Sequence, residues 1–200
     1  MTTLYFFSIP LYICVGIFVH HLYTVHKNGK ITSFYQMNSF FKEASVILDE
    51  VRMNTKLVNA LLLHAHNGGN QLYANGFNKS SVLEESPEFP EVAVLNNWKN
   101  RPIDRYYRNL LHEVETEIVV PIEYEKVAGD LAAIYLMYSI KGALVFKIYN
   151  KTKASFFYAS FVSQIPVKEI RYHKDYARIL IGVQKLTELC ARYHKSGVLK

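Results

Sequence analysis

Two histidines, His64 and His66, stand two residues apart at the end of an apolar run and lead into Asn67-Gly68-Gly69. Side chains alternate along a strand, so both imidazoles are expected on one side of it. Such a pair is the beginning of a metal site, with Glu84 or Glu85 as an oxygen donor. A specific site takes three or four protein ligands, however, and the sequence marks only two, so no metal is expected. Asn-Gly admits positive φ and the second glycine leaves backbone amides open, so a sharp turn that shapes a pocket is the stronger reading. The plainer role is that His66 hydrogen-bonds the turn after it, with Asn67 capping backbone groups there.

Nucleophiles are available but not assembled. Ser80 or Ser81 with a histidine, or Cys190 with His64 or His66, would be the candidates, and neither arrangement sits in a recognisable nucleophile motif. Cys190 falls in the apolar stripe of a helix, where a small core residue is expected. No glycine pattern that cradles a phosphate occurs. The chain therefore reads as a binding protein, with no catalytic residue and no cofactor. The residues placed at its ligand-binding edge are His64, His66, Asn67, Gly68, Gly69, Glu84, Arg101 and Asp104.

Those residues need elements to hold them. Met37, Phe40, Phe41, Ala44, Ile47, Leu48 and Val51 repeat at three-and-four spacing, which predicts an amphipathic helix. Asn54-Thr55-Lys56 ends it, and Leu57 to His66 reads as a central strand buried on both faces. The stretch from Asn70 to Asn100 is polar and broken by Pro87 and Pro90. It is expected to be a binding loop with a short strand near Ser80 to Leu83, and it carries Trp98 near its end. Ile103, Tyr106, Tyr107, Leu110 and Leu111 mark a second helix, Glu117 to Ile122 a strand, and Asp130 to Ser139 a further helix. Ala143–Tyr149 and Ala154–Val162 form a hairpin around Asn150 to Lys153. A closing helix from about Asp175 to His194 turns Tyr176, Ile179, Leu180, Val183, Leu186, Leu189 and Cys190 inward.

The N-terminus is of another kind. From Leu4 to Val25 there is no Asp, Glu, Lys or Arg, and as a helix these residues would extend about 33 Å, roughly a bilayer core. Residues 1–25 are thus expected to be a transmembrane anchor, residues 26–36 a linker, and residues 37–196 one α+β domain. Lys27, Lys30 and Lys42 follow the span while the short N-terminal flank has no basic side chain, which places the domain in the cytoplasm and the chain in the inner membrane as a single-pass protein. Cys14 and Cys190 are too far apart in sequence and too few to make a disulfide framework or a zinc site.

The net charge of +6 lies in the second half: Lys141 to Lys200 holds twelve basic residues against three acidic ones. Arg171, Lys174, Arg178 and Lys185 are expected to meet anionic headgroups beside the anchor. Phe156, Phe157, Tyr158 and Phe161, near Lys151 and Lys153, suit base stacking less than core packing, so nucleic acid is not an expected partner. The expected partners are the lipid bilayer, a second copy of the chain through a dimerising stalk helix, and a small ligand or protein.

The order of elements, with a strand ending in His66-Asn67-Gly68-Gly69, resembles sensory α+β domains of the GAF type, and particularly membrane-anchored bacteriophage proteins with that strand-terminal motif. Pro102-Ile103-Asp104 as a helix start and the strand-then-helix of Ser155 to Arg192 are similar to the soluble domain of the T-even phage holin. The likeness covers about residues 35–195. It implies a GAF/PAS-like antiparallel sheet with helices on one face and a pocket or partner surface built by loops. The holin likeness implies a periplasmic domain that gates pore formation and times host-cell lysis. The chain departs from that family in lacking a basic N-terminal tail, and its flanking charges favour a cytoplasmic domain.

Overall fold

The computed structural model describes residues 20, 24, 34–67, 77–94, 98–152, 155–172 and 174–196. Residues 1–39 and 40–200 form two compact units. Of the expected membrane span only His20 and Thr24 are described, both helical, with the Thr24 hydroxyl donating to the His20 carbonyl at 2.9 Å. The rest of that span lies outside the described residues. Among the described residues no helix is long and apolar enough to cross a membrane.

Helix α1 covers residues 34–53. Strand β1 (Leu57–His66) follows, then β2 (Lys79–Pro87), a two-residue β3 (Arg101–Pro102), α2 (Arg105–Thr116), β4 (Val119–Glu123) and α3 (Gly129–Met137). The chain ends with β5 (Gly142–Thr152), β6 (Ser155–Ser163), α4 (Val167–Tyr172) and α5 (Asp175–Lys195). The six strands make one sheet in the order β3-β2-β1-β6-β5-β4, and every pairing is antiparallel. β1 and β6 occupy its middle. Both read as nearly continuous apolar or small residues and are almost wholly buried, as strands covered on both faces must be.

That double coverage decides the architecture. Leu61, Leu63 and Ala65 of β1 join Phe156, Tyr158 and Val162 of β6 in one core cluster with Tyr107, Leu110, Leu111 and Val114 of α2 and Tyr135 of α3. The alternate residues, including Leu62, Phe157 and Phe161, are equally buried and point to the opposite face. Helices α1 and α5 cover that face. Helices therefore lie on both sides of the sheet, where the family resemblance implied one side. A sheet whose central strands are apolar on both faces cannot leave either face in water.

The two covering helices run antiparallel, as their contacts show: Glu43 pairs with Arg192 at 3.0 Å, and Glu50 with Lys185 at 2.6 Å. The Tyr193 hydroxyl donates to Glu43 at 2.6 Å, and the Tyr193 and Phe40 rings meet edge-on. Phe40, Ala44, Leu48 and Val51 form the buried stripe of α1. Gly182 of α5 sits so close to Val51 that an added Cβ would lie 2.2 Å from its Cγ2, so a glycine is required where the helices touch. On α5 the inward stripe is Ile179, Gly182, Leu186, Leu189, Cys190 and Tyr193. Leu180, expected inward, is 42 % exposed, one residue off the face that α1 and the sheet demand.

The segment expected to be a long polar loop contains the full strand β2, so Glu84 and Glu85 belong to the sheet. The Glu85 carboxylate accepts the Val94 backbone N–H at 2.9 Å and the Asn59 side-chain amide at 3.1 Å, fastening the segment after β2 back onto the sheet. These anchors are charge-assisted and bridge distant residues, which hydrophobic periodicity does not register.

Candidate functional site

His64 and His66 do share a face, with ring centroids 4.8 Å apart and nearly stacked. The face is that of α1 and α5, because both alternate with Leu63 and Ala65 of the opposite core. His64 also stacks on Phe157 and its Nε2 lies 2.6 Å from the Ser155 hydroxyl, while His66 Nε2 lies 3.1 Å from the Ser81 hydroxyl. Ser81 in turn accepts the Asn100 backbone N–H at 2.8 Å. His66 thus ties to β2; the turn after Asn67, which it was also expected to bond, lies outside the described residues. Burial, reinforced by His66 and Lys151, lowers His64 to a pKa of about 3, and burial followed by Lys79 and Lys151 lowers His66. Both rings are neutral near pH 7.

Glu84 pairs in register with Leu62 and is half-buried; burial raises its pKa, with Glu85 and Asp49 adding to the rise and the Glu85 N–H opposing it. No group of three or more metal-ligating side chains forms among the described residues. Asn67 follows directly at the end of β1, and Gly68 and Gly69 lie outside the described residues.

Arg101 and Asp104 belong elsewhere. Asp104 caps α2, its Oδ1 accepting the Tyr107 N–H at 2.7 Å, while Oδ2 accepts the Asp130 N–H of α3 at 3.1 Å. One carboxylate holds the first turns of two helices, where the helix dipoles favour negative charge. Gly129 next to it has φ +64°, and a Cβ there would lie 2.0 Å from Asp104 Oδ2. Arg101 pairs with Asp130 at 3.1 Å and lays its guanidinium 4.3 Å from the Trp98 ring centroid. The described residues expected at one ligand-binding edge are therefore divided between two places, His64, His66 and Glu84 on β1 and β2 with Asn67 directly after β1, and Arg101 in β3 with Asp104 at the start of α2.

The cationic set divides too. Arg171 falls in α4 and Lys174 is exposed just before α5. Arg178 donates to the Asn54 carbonyl and lies 3.7 Å from Asp175, and Lys185 pairs with Glu50. The last two brace α5 against α1 and the turn after it.

What α2, α3 and the sheet enclose is a cavity of about 80 Å³. Leu61, Leu63, Leu110, Leu111, Val145 and Val162 supply apolar walls; Trp98, Tyr107, Tyr135 and Tyr158 supply rings with polar tips. Tyr158 sits in the middle of a hydroxyl chain, 2.7 Å from Ser80 and 2.7 Å from Tyr107. Burial raises the pKa of Tyr107, Tyr135 and Tyr158, so all three remain protonated. None of the described residues expected at the ligand edge lines this space. The α2 stripe that builds one wall was legible as a helix face; its partner, the Tyr158 face of β6, was legible only as half of an alternating strand.

The same fold occurs among solved structures. The chain aligns with the GAF domain of a Bacillus halodurans two-component sensor histidine kinase at TM-score 0.54 and 11% identity, covering 78% of this chain and 96% of that one. The fold is GAF-like. The GAF domain region of a Geobacter sulfurreducens protein matches at TM-score 0.52 and 13% identity, over 79% of this chain and 97% of that one. The phycoerythrobilin-bound GAF domain of a cyanobacterial phytochrome matches at 0.54 and 13%, over 83% and 94%. No protein-family model and no curated protein matches the chain.

Proposed function

We propose that this is a GAF-like sensory domain that binds a small apolar ligand between its sheet and helices α2 and α3, without catalysis, and is held at the inner membrane by residues 4–25. The cavity carries the proposal: it is walled by apolar and aromatic side chains with a few convergent hydroxyls, the usual make-up of a small-molecule site. Its volume of about 80 Å³ exceeds what one water needs, on the order of 10–15 Å³, and falls well below the roughly 300 Å³ at which drug-sized pockets begin. A ligand of few heavy atoms fits without moving α3; a bilin of the kind held by the phytochrome relative does not. Helix α1, which lies on the far side of the sheet and leads back toward the anchor in sequence, is the element through which occupancy would be passed on. No observation favours the holin alternative or bacteriophage origin beyond the short motifs that suggested them.

The chain has a single tryptophan, and Trp98 lines the cavity. A ¹⁵N NMR screen of fragments with up to six heavy atoms should move the one indole N–H resonance, and Leu110→Phe, which fills the cavity from α2, should abolish the response. Fragments that leave the indole resonance unmoved throughout would refute ligand binding here.

A further inference from the structure

The polar groups of the cavity are unequal in kind. Trp98 is 6 % exposed, and its indole N–H has no acceptor among the described residues. A buried donor without an acceptor is costly, so such a group calls for a partner. The hydroxyl chain adds to the imbalance. Ser80, Tyr158 and Tyr107 own three O–H protons and make two mutual hydrogen bonds, which leaves one proton to be donated outside the chain. Tyr107 and Trp98 meet edge-on with centroids 6.0 Å apart, so the rings that carry these donors are neighbours.

The cavity wall also carries the Asn59 amide and the Ser160 hydroxyl. The nearby Glu85 carboxylate is engaged by the Val94 N–H and the Asn59 amide. Among the described residues no Lys, Arg, His, Asp or Glu lines the cavity. A charged ligand would be desolvated there with no counter-charge from the described lining residues, whereas a neutral oxygen would meet the unpartnered Trp98 indole N–H. Arg101 contributes from outside, its guanidinium stacked on the indole and tied to Asp130, which fixes the ring that carries the donor.

Resting on the ligand-binding reading above, we propose that the cavity takes a small neutral ring or branched-chain compound bearing one hydrogen-bond-accepting oxygen, of the ketone, ether or alcohol class, received by the Trp98 indole N–H beside Tyr107. The apolar walls select the hydrocarbon part, and the buried Trp98 N–H selects the oxygen.

A matched pair of probes tests this on the full chain by following the Trp98 indole N–H resonance. Cyclopentanone and methylcyclopentane have nearly the same shape, and the first presents an oxygen where the second has a methyl group. Cyclopentanone should bind at least threefold more tightly and shift the indole proton downfield as a hydrogen bond does. Cyclopentanecarboxylate should not bind. Equal or tighter binding of methylcyclopentane, a ketone that leaves the indole proton in place, or tighter binding of the carboxylate would overturn the donor argument while leaving the cavity as a ligand site. If neither neutral probe binds, the ligand-binding reading itself fails.

Discussion

His64 shows how one side chain is governed by its neighbours. It stacks between His66 and Phe157, reaches the Ser155 hydroxyl, and is held neutral by burial with Lys151 close enough to oppose a second positive charge. Its pKa in the fold, about 3, lies below the ordinary 6.5 it regains on unfolding. Between those values the unfolded chain binds the proton and the folded chain does not, so stability rises with pH across that window. The contribution is complete above about pH 6.5 and is lost progressively as pH falls toward 3. His66, lowered for the same reasons, acts in the same sense. The midpoint of thermal unfolding should therefore drop between pH 7 and pH 5 in the native chain and drop measurably less in His64→Phe, which keeps the stack on Phe157 but cannot take a proton. An identical drop in both would show that the imidazole is not the group responsible. Cys190 agrees with its expected role: it is fully buried in α5 and its thiol is pushed up to about 12 by burial, which leaves it unreactive as a nucleophile.

At the scale of elements, α3 depends on one residue outside itself. Its sequence is apolar almost all round, with Leu136 and Met137 exposed and Tyr135 buried, so amphipathicity alone does not orient it. The Asp104 carboxylate and the Arg101–Asp130 pair supply what the pattern lacks. Asp104→Ala removes the cap of α2 and the acceptor of the Asp130 N–H together. A lost cap costs typically about 1 kcal/mol, so a total loss of roughly 1–2 kcal/mol is expected from chemical denaturation. Amide exchange should accelerate in α3 more than in β1 or β6, since α3 loses its tether. Uniform acceleration across the domain would mean that Asp104 acts only through global stability. The strands and helices themselves were largely legible: the α2 stripe, the β5–β6 hairpin and the span of α5 follow local periodicity. β2 was legible only as a short strand near Ser80 to Leu83, because the polar residues of its full length make long-range bonds to Asp49, Asn59 and Tyr158 that local composition reads as loop.

For the whole molecule, the prediction concerns where the domain is held. If residues 4–25 anchor it, the full chain should sediment with membranes and resist alkaline carbonate, and a reporter fused after Lys200 should be active on the cytoplasmic side. Release by carbonate, or activity confined to the far side of the membrane, would sink the anchor or its orientation respectively. What the sequence determined unaided is whatever depends on near neighbours: the ends of β1 at Lys56 and Asn67, the common side of His64 and His66, the buried stripe of α2, and the doubly apolar character of β1. These follow from backbone geometry and side-chain period, which act over a few residues. Only the tertiary structure decided which layer each side of the sheet meets. Setting β6 beside β1 joins residues about a hundred positions apart, turns the histidines toward α1 and α5, and gives the other face, with Trp98, Tyr107 and Tyr158, to the cavity. A strand's alternation separates its two faces but does not say what will pack on either; that choice is made by burying the largest apolar area across the whole chain at once.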